Sequence, residues 1–368
     1  MTVKWFKNLA ILCISLLGTH AALGCTDVLV VAKDKTVIVG RTMEFAADLH
    51  SNFYTSPRGR TFTNSSPDGK PTATWKSQYG YLYLDGMNFG TTIDGMNEKG
   101  LSFEYLFMPG FTTYQSIKPG QEAQAVPYLA FGDWVLGNFA KVEEVKQALS
   151  KIQIYAQTNA SLQNVVFPLH ASIHDASGKG LVVEFINGEM KVYDNTLGVM
   201  TNAPEFSWHM INLRNYVNLS PYTSDPVTVD GIVFPGTGQG AGMQGLPGDS
   251  SPPSRFVKMI FLSKTATPVA DAVGALNLLQ HILNNVDIPF GFVRAKSAQG
   301  DVLESTEWTV YKDLTHKVMY FHTYNDMTLR SIDMSQLNFS PTAKRLKMPL
   351  EVKPYVMNIT SDLQKSTL

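Results

Sequence analysis

Two short β-rich runs, Asp27–Ala32 and Thr36–Gly40, flank the polar triplet Lys33-Asp34-Lys35 near the start of the chain. That pattern predicts a strand pair with a tight turn. Leu101–Phe107 reads as a strand that follows the turn-forming string Asp94-Gly95-Met96-Asn97-Glu98-Lys99-Gly100. Val165–Ile173, Gly180–Ile186 and Glu189–Tyr193 predict a run of antiparallel strands, with turns at Ser177-Gly178 and Asn187-Gly188. Helical spacing covers Val126–Phe139 and Val142–Ile152, then Phe206–Val217, Ser254–Ser263 and Val269–Asn284. Glu307–Asp313 and Lys317–Tyr324 predict two late strands. Strands at both ends with helices between them predict α+β layers in place of a parallel βαβ series. Pro221–Asp249 is rich in Gly and Pro but lacks the Lys-Ser/Thr ending of a phosphate-cradling loop. It reads as a long surface loop, suited to an oligomer contact or a site wall.

The first 24 residues have a different pattern. Lys4 and Lys7 precede an apolar run, Leu9–Gly18, and small residues end it at Ala22-Leu23-Gly24. This is the layout of a secretory signal peptide, and the run is too short to span a membrane. Cleavage after Gly24 predicts an exported chain, periplasmic or secreted, that begins at Cys25. The chain holds two cysteines, Cys13 and Cys25, so the mature protein keeps one thiol and has no internal disulfide. Losing Lys4 and Lys7 takes the formal net charge from −1 to −3. That balance gives no reason to expect nucleic acid as a partner, and no stable membrane insertion is expected after cleavage.

An exported N-terminal cysteine has two readings. Ala22-Leu23-Gly24-Cys25 resembles a lipoprotein signal, which would make the protein a lipid-anchored binding protein. The other reading is chemical: a free α-amine titrates near the thiol and can take its proton, so nucleophile and base share one residue. Gly40-Arg41-Thr42-Met43-Glu44-Phe45 follows the second predicted strand. If that strand runs back past Cys25, Arg41 and Glu44 reach the chain start, where a guanidinium lowers a thiol pKa and a carboxylate holds an ammonium. Thr201-Asn202-Ala203-Pro204 follows the strand-like Leu197–Met200, and an Asn amide at a strand end can donate to a developing oxyanion. An Asx-turn opening the next helix is the alternative. Ser251 and Pro252 read as the N-cap and first residue of a helix, which leaves Arg255 in its first turn. A cation is disfavoured there unless it faces an acidic or polar site. His170 and His174 share one face of a predicted strand without a third ligand and read as satisfied histidines. No His-Glu-x-x-His or Gly-x-Ser-x-Gly motif is present.

Cys25-Thr26, Gly40–Glu44, Asp94–Leu101, Leu197–Trp208 with Asn212-Leu213-Arg214-Asn215-Tyr216, Leu246–Val257 and Glu307-Trp308-Thr309-Val310, in this order, resemble the choloylglycine hydrolase family of penicillin V acylases and bile salt hydrolases. The resemblance implies an N-terminal nucleophile hydrolase: a single domain over residues 25–368, a four-layer αββα sandwich of two antiparallel sheets, assembled as a homotetramer. It implies a free Cys25 as nucleophile and base, Arg41 beside the thiol, and Arg255 as a second arginine near it. Glu44 stands where the family carries Asp. Asn202 is implied as a side-chain oxyanion donor, and the second donor position falls at Phe107, which offers only its backbone N–H. Met43 and Phe45 are expected to line the substrate pocket. No metal or cofactor is implied. The expected substrate is a small acyl amide with an apolar acyl group, of penicillin V or N-acyl homoserine lactone type, with conjugated bile salts as the alternative.

Overall fold

The structure, a computed structural model, describes residues 24–158, 164–297 and 300–365. Residues 1–23 of the expected leader lie outside the described residues. Strands β1 (Cys25–Val31) and β2 (Val37–Phe45) run antiparallel, with Cys25 opposite Met43 and Asp27 opposite Arg41. Lys35, at φ 76°, makes the expected tight turn. The chain continues through β3 (Asn52–Ser56), β4 (Tyr81–Leu84), β5 (Asp94–Asn97), β6 (Leu101–Phe107), β7 (Leu169–Asp175), β8 (Gly180–Ile186), β9 (Glu189–Asp194) and β10 (Val199–Met200). Strands β11 (Ser305–Asp313), β12 (Val318–Thr323), β13 (Asp326–Asp333) and β14 (Lys347–Pro349) follow near the C-terminus. They form two antiparallel sheets, in the orders β10-β1-β2-β11-β12-β13 and β9-β8-β7-β6-β5-β4-β3-β14.

The side-chain alternation of the strands defines the layers. Leu82, Leu84, Met96, Leu106 and Val182 of the second sheet join the core built on the first sheet. Their neighbours Tyr81, Tyr83, Phe103, Tyr105 and Val183 turn outward to helices α1 (Phe131–Asn138) and α2 (Val142–Leu149). After the short helix α3 (Phe206–Asn212), helices α4 (Pro252–Thr265) and α5 (Ala272–Leu283) cover the outer face of the first sheet. The order is helix, sheet, sheet, helix, as expected. Gly40 allows the close approach of α5, because a Cβ there would lie 2.7 Å from Leu283 Cδ1 and 2.8 Å from Leu279 Cδ2. With both faces covered, β2 and β8 are buried along their whole length, their few polar residues included.

Several expected elements shift. Asp94–Asn97 is a buried strand, and the turn is confined to Glu98–Gly100. Its turn-type residues are held in a strand because their polar groups find internal partners: Asn97 alone bonds Leu136 O, Phe139 O and the N–H groups of Lys99 and Leu101. The helix expected from Val126 starts at Phe131; Ala125–Pro127 is a short strand, since a residue before proline avoids helical backbone. The strand expected from Val165 starts after Pro168, and the helix expected over Phe206–Val217 tightens to a 3₁₀ turn at Leu213–Tyr216. Within the long surface loop, Val227–Val229 and Ile232–Phe234 form an exposed hairpin.

Candidate active site

Cys25 opens β1 with its side chain on the face between the sheets, directly across from Met43. Sγ is buried and accepts from Arg41 Nη2 at 3.3 Å. That guanidinium is fully buried; it also donates to Tyr105 O at 2.8 Å, meets Asp94 Oδ2 at 3.4 Å and lies 4.9 Å from the centre of the Trp308 ring. Burial works against its charge, but the Cys25 and Asp94 charges outweigh this and raise its pKa.

Arg41 and Glu44 both reach the Cys25 end of β1, from opposite faces of β2. Alternation sends Arg41, Met43 and Phe45 inward and Glu44 toward the helical layer. The Glu44 N–H donates to Gly24 O at 2.9 Å, and its Oε1 accepts from Thr306 Oγ1 at 3.0 Å. Glu44 Oε2 is buried with no hydrogen-bond partner among the described residues. Burial pushes this carboxyl up to about 7, with Arg255 pulling the other way. A Cβ on Gly24 would meet Glu44 Cβ at 3.3 Å and Arg255 Nη2 at 3.4 Å, so the position before Cys25 suits a residue without a side chain. Glu304, which the sequence reading missed, is buried nearby; burial and the Glu44 charge raise it to about 7.

Arg255, in the first turn of α4, is 1% exposed and faces the polar site that its unusual position called for. Nη1 donates to Cys25 O and to Thr26 Oγ1, both at 2.6 Å; Nη2 donates to Asn202 Oδ1 at 2.6 Å, and Nε to Ser250 O at 2.9 Å. Asn202 Oδ1 also accepts from the Cys25 N–H at 2.8 Å, while Nδ2 donates to Phe107 O at 2.7 Å. One Nδ2 hydrogen is left over. Tyr105 N–H donates to Ile93 O, so two residues on the Phe107 N–H points the same way, past the start of β5. Two buried histidines hold this segment: His170 Nε2 lies 2.9 Å from Thr201 O, and His209 Nε2 lies 2.9 Å from Asn202 O. Burial lowers His209 to about 4, so its neutral ring donates at pH 7.

The sulfur opens onto an apolar cavity lined by Met43, Phe45, Leu49, Phe107, Phe167 and Leu169 among others. Thus Cys25, Arg41, Met43, Glu44, Phe45, Phe107, Asn202 and Arg255 all gather at one place. Sequence reading missed the charges behind Arg41. Lys312 Nζ lies 2.6 Å from Asp94 Oδ1 and 2.6 Å from Glu104 Oε1, all fully buried. Their signal is a charged residue inside an apolar strand. His174, the satisfied histidine expected above, meets Asp27 Oδ2 at 2.7 Å, as does Ser172 at 2.6 Å. Among the described residues, Asp27, Glu104 and His174 form a group whose donor atoms, within 4.8 Å of one another, could hold a metal ion. The Lys312 ammonium beside Glu104 opposes a second cation there.

Two antiparallel sheets between helical layers, with a cysteine at the start of an inner strand, define the fold of the N-terminal nucleophile hydrolases. Residues 25–347 match the model of the linear amide C–N hydrolases, choloylglycine hydrolase family, and the chain belongs to that family. It is 32% identical over 342 residues to a bile salt hydrolase/transferase of Clostridium perfringens (strain 13 / Type A), covering 91% of this chain and 98% of the relative. A conjugated bile acid hydrolase structure from Clostridium perfringens superposes with TM-score 0.80 at 29% identity, over 91% of this chain and all of that one. A penicillin V acylase structure from Agrobacterium tumefaciens gives TM-score 0.70 at 25% identity, over 88% and 90% of the two chains. The protein is therefore a linear amide C–N hydrolase.

Proposed function

We propose that the protein is an exported amidohydrolase whose nucleophile is Cys25, freed at its amine by removal of residues 1–24. The observation that carries this reading is the placement of Cys25: sulfur 3.3 Å from Arg41 Nη2 and backbone nitrogen 2.8 Å from Asn202 Oδ1, beside an apolar cavity. Once freed, that nitrogen is an amine that accepts the thiol proton. Arg41 stabilises the thiolate, and the resulting ammonium keeps Asn202 Oδ1 and gains the lone Glu44 Oε2. The Cβ and Cγ of Glu44 lie beside Gly24, the residue whose removal frees the Cys25 amine.

The thiolate attacks the acyl carbonyl. The spare Nδ2 hydrogen of Asn202 and the Phe107 N–H stabilise the tetrahedral oxyanion. Collapse breaks the C–N bond, and the α-ammonium gives its proton to the leaving amine. Water then attacks the thioester with the α-amine as base, releasing the acid and restoring Cys25. No step calls for a metal or cofactor.

The aromatic and aliphatic cavity supports an apolar acyl group of phenoxyacetyl or fatty-acyl type, as in penicillin V or an N-acyl homoserine lactone. The 32% identity to a bile salt hydrolase/transferase favours conjugated bile salts as a second reading. Hydrolysis of penicillin V, a long-chain N-acyl homoserine lactone and glycocholate, assayed side by side, separates them. A penicillin V or homoserine-lactone rate well above that on glycocholate is expected, and the reverse order overturns the first reading. Turnover of none of the three by protein beginning at Cys25 overturns both and leaves the binding-protein alternative. Against lipid anchoring stands Cys25 itself, a residue 3% exposed with its sulfur turned to Arg41, where a diacylglyceryl chain would have to enter the interior. The exposed hairpin carries Val227, Val229, Ile232, Val233 and Phe234, each more than half exposed, which supports a homotetramer that buries it.

A further inference from the structure

Arg41 does not meet the thiol alone. Behind it, between the two sheets, runs an unbroken line of buried charge: Asp94 from β5, Lys312 from β11 and Glu104 from β6, then His174 from β7 and Asp27 from β1. Asp94 faces two cations at once, and unequally. Its Oδ1 lies 2.6 Å from Lys312 Nζ, whereas its Oδ2 is 3.4 Å from Arg41 Nη1. Arg41 Nη2 is thereby left to Tyr105 O at 2.8 Å and to Cys25 Sγ at 3.3 Å.

We propose that Lys312 is a positioning residue for the Cys25 nucleophile: by holding Asp94 from the far side, it keeps that carboxylate from closing on Arg41 and leaves the guanidinium charge directed at sulfur. A carboxylate and a guanidinium prefer a two-pronged pair at shorter distance than is seen here. With the ammonium gone, Asp94 has one cation left to satisfy and draws onto it. The sulfur then faces an arginine whose charge is largely neutralised, in a region where water does not screen the loss. The other titratable and charged groups on this side are the freed Cys25 amine itself, Arg255 from α4 and Glu44 from β2, with Glu304 beyond them next to Glu44 and Arg255. None of them touches Asp94 or Lys312 in a hydrogen bond or ion pair. Lys312 and Asp94 therefore bias the thiol in opposite directions, one supporting the thiolate and the other opposing it.

The proposal rests on Cys25 as nucleophile, but its test reads the sulfur itself and needs no substrate. The pH profile of iodoacetamide alkylation at Cys25, followed by peptide mass spectrometry on the purified protein, reports the thiol pKa. Lys312→Met is expected to raise that pKa by about one unit, while Lys312→Arg, which keeps the charge, leaves it within a few tenths. Asp94→Asn is expected to lower it. A purely structural role would move Lys312→Met and Asp94→Asn the same way, and that result overturns the proposal. So does an unchanged profile in folded Lys312→Met. Should Lys312→Met fail to fold, Asp94→Asn decides alone: a lowered thiol pKa supports the proposal, and an unchanged or raised one overturns it. Active enzyme with an unmoved thiol pKa in these variants refutes only the role of Lys312. An inactive wild type that still shows the opposed shifts refutes only the assigned reaction.

Discussion

The Asn202 side chain is fixed at three points, by Cys25 N, Arg255 Nη2 and Phe107 O, so its spare N–H has a defined direction. Replacing it by Ala removes the proposed oxyanion donor and the acceptor for the Cys25 nitrogen together. A fall in kcat of at least about 10²-fold is expected from the donor alone, measured by steady-state hydrolysis. Cys25→Ala is expected to abolish turnover with an unchanged thermal midpoint, since sulfur makes no strong structural bond. A different signature comes from the buried carboxyls. Burial holds Glu44 and Glu304 near pKa 7, above their unfolded value. In the chain that retains Gly24 they bind more protons folded than unfolded, so their contribution is full below about pH 4.5 and is lost as pH rises toward 7. Urea unfolding at pH 5 and pH 7.5 should show that decline, and Glu304→Gln should flatten it. Arg41, Glu44, Asn202 and Arg255 were legible because each stands beside a local signal, a strand end, a helix start or an N-terminal cysteine. Lys312 and Asp94 were not, because their partnership spans 218 residues.

Elements were legible where turn chemistry and burial agree. Asn187 and Gly188, at φ 52° and 77°, make the expected hairpin turn between β8 and β9, and β8 begins and ends where the pattern put it. Asp94-Gly95-Met96-Asn97 misled because its residues favour turns in isolation, while here the Asp94 carboxylate and the Asn97 amide are satisfied across the fold. Strands β3 and β4 escaped notice as short runs, five and four residues long, amid irregular chain. Gly100 ties this region to the opposite sheet. It turns β5 into β6 at φ 79°, and a Cβ there would lie 2.1 Å from the backbone oxygen of Leu314. Gly100→Ala is therefore expected to destabilise the protein by about 2–4 kcal/mol, from overpacking and left-handed backbone together, read as a lowered urea midpoint. An unchanged midpoint would contradict the tight packing between sheets.

On the scale of the molecule, the two sheets bring Cys25 at the head of β1, the strand at Ser305–Asp313 and the Asn202 segment to one point, a convergence that no local pattern foretells. The surface hairpin carries the proposed assembly. Ile232→Lys with Phe234→Lys is expected to turn a tetramer into smaller species by light scattering without lowering the thermal midpoint of the subunit; a monomeric wild type would contradict it. In the proposed reaction, chemistry begins only when Cys25 becomes the first residue. Rapid acid quenching during hydrolysis, followed by mass spectrometry of the N-terminal peptide, tests this most directly. The expected peptide starts at Cys25, with an unmodified amine and a transient acyl group on sulfur. Full turnover by chains that still carry Gly24, or by chains acylated at the Cys25 nitrogen, would contradict it.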